Sequence, residues 1–200
     1  MKKLFLLLCL LPLLATAVRA QEARQDVSLS FMGTIQPYVN GGTNNVTFKA
    51  TLGAGMLLSY RFQLTPNGAI EANYSYSRYT DKFTTSFQNI RVLTSVQEAT
   101  FGYVRTIPFK KFNPFIEGGG GIQFFSPLGG IKTTTLDTQM TEVLIPFFGG
   151  GVAYELSPSW DLRMAYRGYV SHPQTFSLKQ FDTGRSYIVS QPAIGFAYHF

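Results

Sequence analysis

Ile194-Gly195-Phe196-Ala197-Tyr198-His199-Phe200 ends the chain with a large apolar residue at nearly every second position. A period of two is the signature of a β-strand with one apolar face and one face of small or polar groups. The longest run of the same pattern is 48–64. Phe48, Ala50, Leu52, Ala54, Met56, Leu58, Tyr60, Phe62 and Leu64 share one face, with Lys49, Thr51, Gly53, Gly55, Ser59, Arg61 and Gln63 opposite, and only Leu57 breaks the rule. Thr65-Pro66-Asn67-Gly68 then reverses the chain, proline fixing φ and Asn-Gly accepting a positive one. In the next strand Ile70, Ala72, Tyr74 and Tyr76 face one way and Glu71, Asn73, Ser75 and Ser77 the other. The pair is a predicted hairpin with strands long enough to cross a bilayer.

The pattern recurs until the count is eight. Val27, Leu29, Phe31 and Ile35 alternate with Ser28, Ser30, Thr34 and Gln36. Ala99, Phe101 and Tyr103 alternate with Glu98, Thr100 and Gly102, and Ile116, Ile122 and Phe124 with Glu117, Gly119, Gly121 and Gln123. Phe148, Val152, Tyr154 and Leu156 oppose Gly149, Gly151 and Ala153, and Trp160, Leu162, Met164 and Tyr166 oppose Asp161, Arg163, Ala165 and Arg167. Turns near Asn67, Lys110 and Pro158 are short, whereas 80–90, 126–140 and 171–186 are long.

Composition restricts what such strands can form. Charged residues make up 14% of the chain and aromatics 15%, with 19 glycines, against about 25% charged in an ordinary soluble domain. At the N-terminus, Met1-Lys2-Lys3, an apolar stretch at 4–14 and small residues up to Ala20 predict a cleavable signal peptide over 1–20, with Ala17 an alternative cleavage point. Cleavage would remove Cys9, the only cysteine, and with it any thiol, disulfide or cysteine-bound metal. Losing Lys2, Lys3 and Arg19 lowers the formal charge from +6 to +3, too weak a bias to argue for nucleic acid. Residues 21–200 suffice for a single eight-stranded domain.

The expected fold is therefore all-β, an eight-stranded antiparallel up-and-down transmembrane barrel with short periplasmic turns and long extracellular loops. Strands in lipid must close to satisfy every backbone group. A soluble lipocalin-like barrel shares the strand count but turns its apolar face inward, around a ligand. It would need an exterior rich in Lys and Glu, and the less apolar face here is mostly Gly, Ala, Ser and Thr. Tyr60, Tyr103, Tyr154, Trp160 and Tyr198 fall near the short-turn end, as an interfacial girdle requires. Pro37, Pro146 and Pro192 cannot donate to the ladder, so bulges or lapsed pairing are expected there. The glycine runs at 118–121 and 149–151 lack the Lys-Ser/Thr pair of a phosphate loop and suit close backbone approach in a narrow barrel.

With the terminal aromatic, the Gly/aromatic strands and the stretch WDLRMAYRGYV at 160–170, the chain resembles the small eight-stranded outer-membrane barrel family, the OmpA-like transmembrane domains and OmpX-like proteins. The resemblance implies location in the bacterial outer membrane. It also implies that Gly195, Tyr198 and Phe200 form the C-terminal signal read by the barrel-insertion machinery, although Ala193 stands where a polar residue is usual. Family members serve as structural proteins, adhesins, narrow pores, transporters or lipid-modifying enzymes, so the resemblance specifies fold better than activity.

Six charges on the lumen face, Arg61, Glu71, Glu98, Glu117, Arg163 and Arg167, are expected to pair and fill an interior that has room for little else. The competing expectation is a narrow path for ions or small solutes. Catalysis has little support: Ser171 and His172 are adjacent strand residues pointing to opposite faces, with no third group to orient a base. No acidic or His cluster has metal-site spacing, and no cofactor is expected. The reading is a monomeric, non-enzymatic membrane-structural or surface-recognition barrel. Its expected partners are outer-membrane lipids and an extracellular ligand or protein at loops 80–90, 126–140 and 171–186.

Overall fold

A computed structural model describes residues 24–40, 47–84, 89–129, 140–172 and 186–200. The signal-peptide reading of 1–20, and most of the loops expected at 126–140 and 171–186, fall outside the described residues.

Ten strands follow in order: β1 (Gln25–Thr34), β2 (Val39–Asn40), β3 (Thr47–Ala50), β4 (Gly53–Thr65), β5 (Gly68–Thr84), β6 (Asn89–Thr106), β7 (Phe112–Leu128), β8 (Thr141–Ser157), β9 (Trp160–Ser171) and β10 (Tyr187–His199). β2 prolongs β1 and β3 leads into β4, so the ten pieces form eight staves. Each stave pairs antiparallel with its sequence neighbours, and β1 pairs with β10 to close the barrel. The start of β1 and the C-terminus meet at the short-turn end, where the Phe200 amide donates to the Gln25 carbonyl at 3.0 Å.

Alternation sorts side chains to the two faces of the wall. Ser28, Ser30, Ser59, Asn73, Ser75 and Ser77 are buried in the lumen, while Leu29, Phe31, Leu58, Tyr74, Phe101 and Ile116 stand exposed on the outside. An apolar face that runs around the whole exterior exceeds the few hundred Å² a soluble monomer tolerates. That orientation is opposite to a ligand-enclosing soluble barrel, so the lipocalin-like alternative is set aside. At the short-turn end Tyr60, Trp160 and Tyr198 face outward, Trp160 and Tyr198 with ring centroids 5.1 Å apart.

The structure corrects the reading of 48–64. From Leu52 to Leu64 the outward face is as expected, but Phe48 is 1% exposed and points into the lumen, with Lys49 outside. The cause is a register slip: Ala50 pairs with Asp81 whereas Ala54 pairs with Arg78, so β3 and β4 carry one residue more than the stretch of β5 opposite. One extra residue at period two exchanges the faces of everything beyond it. The long connection expected at 80–90 is also mostly strand, since β5 runs to Thr84 and β6 begins at Asn89.

The prolines behave individually. Pro37 falls in the gap between β1 and β2. The β8–β9 ladder starts at Phe147↔Tyr169, immediately after Pro146. Pro192 produces no bulge: it pairs with Tyr166, and the β1–β10 register is the same at Met32↔Ala193 as at Ile35↔Ser190. Only the ladder between those two points lapses, as a missing N–H requires.

Candidate functional site: the barrel lumen and its two ends

The lower lumen, toward the short turns, holds ion pairs whose geometry follows from register. Arg61 and Glu71 are direct cross-strand partners, and Arg61 Nε donates to Glu71 Oε2 at 2.8 Å while its guanidinium lies 4.9 Å from the centre of the Phe115 ring. Arg167 on β9 and Glu117 on β7 both sit opposite Gly149 on the intervening β8. With no side chain at Gly149, Arg167 Nε reaches Glu117 Oε1 at 3.0 Å. Arg163 uses the same device on the other side of the barrel. Opposite Gly195 of β10, it extends to β1 and donates to Asp26 Oδ1 at 3.0 Å and Ser28 Oγ at 3.2 Å.

Glu98 stands apart. Its carboxylate accepts from Ser75 Oγ at 2.8 Å, Gln123 Nε2 at 2.6 Å and Gln191 Nε2 at 2.8 Å, all neutral donors. Ser75 and Gln123 are its direct neighbours on β5 and β7, and Gln191 comes across from β10. Of the six charges singled out in the sequence, the structure thus joins Arg61 with Glu71 and Arg167 with Glu117. It gives Arg163 a partner outside that set, Asp26, and gives Glu98 no cation among the described residues. At the mouth His199 Nε2 lies 2.8 Å from Asp161 Oδ2.

Above these charges the lumen turns apolar, which the alternation did not suggest. Phe48, Phe83 and Tyr187 form one ring cluster, with centroids 5.3 and 5.9 Å from Phe48, and Phe147 and Tyr169 another at 6.0 Å. Val92, Val96, Phe125, Ile145 and Val189 pack with them. The guanidinium of Arg167 joins the layers, 4.6 Å from the Phe147 ring centre. The sequence signal was there in paired apolars, Phe124-Phe125 and Phe147-Phe148, because a wall covered on both sides reads as a continuous apolar run. Among the described residues, voids of about 10 Å³ lie within the charged layer and beside Glu98, each with room for about one water.

At the long-loop rim the Ser171 hydroxyl donates to the His172 carbonyl at 3.5 Å, and His172 Nε2 lies 2.9 Å from Ser186 Oγ. Ser171 is buried while His172 is exposed. At the C-terminus Gly195 faces the lumen against β1, and Tyr198 stacks on Phe200 on the outer wall, centroids 6.1 Å apart. Among the described residues no group of three or more His, Cys, Asp or Glu is placed to hold a metal.

Comparison with known proteins gives a family match over nearly the whole chain: the outer membrane protein beta-barrel domain, at residues 6–200. No curated protein matches it in sequence. Among solved structures it is similar to the outer membrane protein OprG from Pseudomonas aeruginosa, with a TM-score of 0.62 at 12% identity over 90% of this chain and 97% of that one. It is also similar to Neisserial surface protein A (TM-score 0.60, 11% identity, 88% and 97% covered). A third is Ail, the attachment invasion locus protein of Yersinia pestis (TM-score 0.51, 17% identity, 90% and 100% covered). At such identities the likeness is one of fold.

Proposed function

The chain belongs to the outer membrane protein beta-barrel domain family, and from that premise we propose that it is a monomeric, non-enzymatic barrel of the bacterial outer membrane with an occluded lumen, serving a membrane-structural or surface-recognition role. The observation that carries this reading is the two-layer filling of the interior, ion pairs below and aromatic rings above. The ion-paired charges present no free site to a passing ion, Glu98 and Asp81 are held by neutral donors, and an apolar constriction resists wetting. Conductance of refolded protein in a planar lipid bilayer, with heat-denatured protein as control, tests it. The expected result is no discrete steps from verified inserted barrels. Reproducible steps would instead favour the narrow channel, with Glu98, which has no cationic partner among the described residues, and Arg167 as its selectivity residues.

Recognition is assigned to the long-loop end, at 126–140, 171–186 and the part of 80–90 that joins β5 to β6, because loops held by a rigid scaffold are where barrels of this kind carry binding. Ail and Neisserial surface protein A, whose names describe attachment and surface location, support that placing by analogy of fold.

Gly195, Tyr198 and Phe200 are proposed as the insertion signal. Deleting Phe200 is expected to slow assembly by the insertion machinery in vivo while leaving spontaneous refolding into detergent nearly unchanged. Since the Phe200 amide also holds the Gln25 carbonyl, equal slowing of both processes would assign the residue to the fold alone.

A further inference from the structure

Lys49, Lys82 and Arg91 are direct cross-strand neighbours on three adjacent staves, Lys49 paired with Lys82 and Lys82 with Arg91. Phe48, Asp81, Phe83 and Val92 occupy the lumen side of these strands, so the three cations stand together on the outer wall. Directly opposed residues have Cβ atoms about 4.5–5.5 Å apart, and like charges there destabilise a sheet. Among the described residues no acid on these staves compensates: the outward positions of β3, β5 and β6 hold no Asp or Glu, and Glu71, Asp81 and Glu98 are all buried in the lumen. A row of three cations with no counter-charge among the described residues calls for one from outside.

Height identifies its source. The outward apolar band begins near Ile70 on β5 and continues upward through Tyr74. At about 3.4 Å per residue and a tilt of about 40°, Lys82 lies about 30 Å above Ile70, just beyond an apolar band about 25 Å tall. The junction is marked by Arg78, which donates Nε to the Tyr76 hydroxyl and lies 5.2 Å from that ring's centre. We infer that the row binds the phosphorylated headgroup of an outer-leaflet lipid, its phosphate oxygens bridging Lys49, Lys82 and Arg91. The lipid's acyl chains would lie along the apolar wall directly below. A soluble polyanion would meet the rim just as readily, but it has no use for a site on the side wall continuous with the hydrocarbon belt.

The test compares thermal unfolding of the refolded chain in neutral detergent alone and with added phosphorylated lipid A, the same lipid with its phosphates removed, inorganic phosphate or heparin. The phosphorylated lipid is expected to raise the wild-type midpoint by several degrees, an effect that weakens with salt, while the other three leave it nearly unchanged. Lys82→Gln, which removes the central cation, is expected to have a midpoint at or above wild type in neutral detergent and to lose at least half of the lipid-induced rise. The triple change K49Q/K82Q/R91Q is expected to lose all of it, and Arg105→Gln, an outward cation at the opposite end of β6, none. Should the triple variant fail to fold, Lys82→Gln alone decides. An undiminished rise in Lys82→Gln, or an equal rise with the dephosphorylated lipid, would overturn the assignment. An equal rise with heparin would also overturn it, moving the site to soluble polyanions.

Discussion

Arg167→Met is expected to lower the unfolding free energy of the barrel in detergent by about 3–5 kcal/mol, the usual cost of stripping one partner from a buried ion pair. Arg167 is 1% exposed, its Nε holds Glu117 at 3.0 Å, and its guanidinium lies 4.6 and 5.9 Å from the ring centres of Phe147 and Tyr169. Methionine fills much of the same volume, so the loss is electrostatic rather than a cavity. It leaves the Glu117 carboxylate in a closed interior beside Glu71, with the nearby Arg61 and Arg163 already held by Glu71 and Asp26. The companion change Glu117→Gln removes the stranded charge, and the double variant is expected to recover a large part of the loss. Chemical-denaturant titration of the four proteins closes a double-mutant cycle. A coupling near zero would mean that Arg167 acts through its aromatic contacts alone. An unchanged midpoint in Arg167→Met would remove the ion pair from the account of stability altogether.

The fold was legible because one period governs most of the wall. Outward apolars from Leu52 to Leu64 and from Ile70 to Tyr74, with Ser and Asn opposite, state both the strand and its environment. Alternation has no memory across a slip, however. The extra residue between Ala50 and Ala54 left the pattern at Phe48 looking intact while reversing its direction. Charges were legible as lumen-facing from parity, but partners depend on which residues lie between. Arg163 finds Asp26, and Arg167 finds Glu117, across glycines on the intervening strands. Parity of a single strand contains neither the identity of that gap nor its height. Asp26 lies at the very start of β1, before the alternation is long enough to be read, so the sequence offered no ground for including it. The outer-wall cations were equally hidden, since Lys49 was assigned to the lumen until the slip put it beside Lys82.

Gly195→Ala is expected to prevent closure of the barrel. A Cβ at this position would lie 2.1 Å from the Leu29 carbonyl oxygen and 2.4 Å from the Ser30 Cα, both backbone atoms of β1. A clash with a flexible side chain can be relieved by a change of rotamer; a clash with backbone cannot be relieved without moving a strand. The strand concerned is one side of the β1–β10 seam, where Ser30 and Gly195 are paired and on which closure depends. Overpacking a core costs about 1–3 kcal/mol, and separating this seam adds the lost ladder and the displaced Arg163, which crosses Gly195 to reach Asp26. The matched control is Gly33→Ala on the outer face of β1, where the nearest atom to a new Cβ is a Pro192 side-chain carbon at 3.6 Å. It is expected to fold as wild type. Heat-modifiable migration on a cold gel separates closed from open barrels directly, with Gly195→Ala running only at the unfolded position and Gly33→Ala at the folded one. Gly195 is also part of the proposed insertion signal, so the assay is made on protein refolded without the insertion machinery. Failure there belongs to the seam, whereas normal closure of Gly195→Ala in detergent would show that the strands can separate at little cost and leave recognition by the machinery as the residue's role.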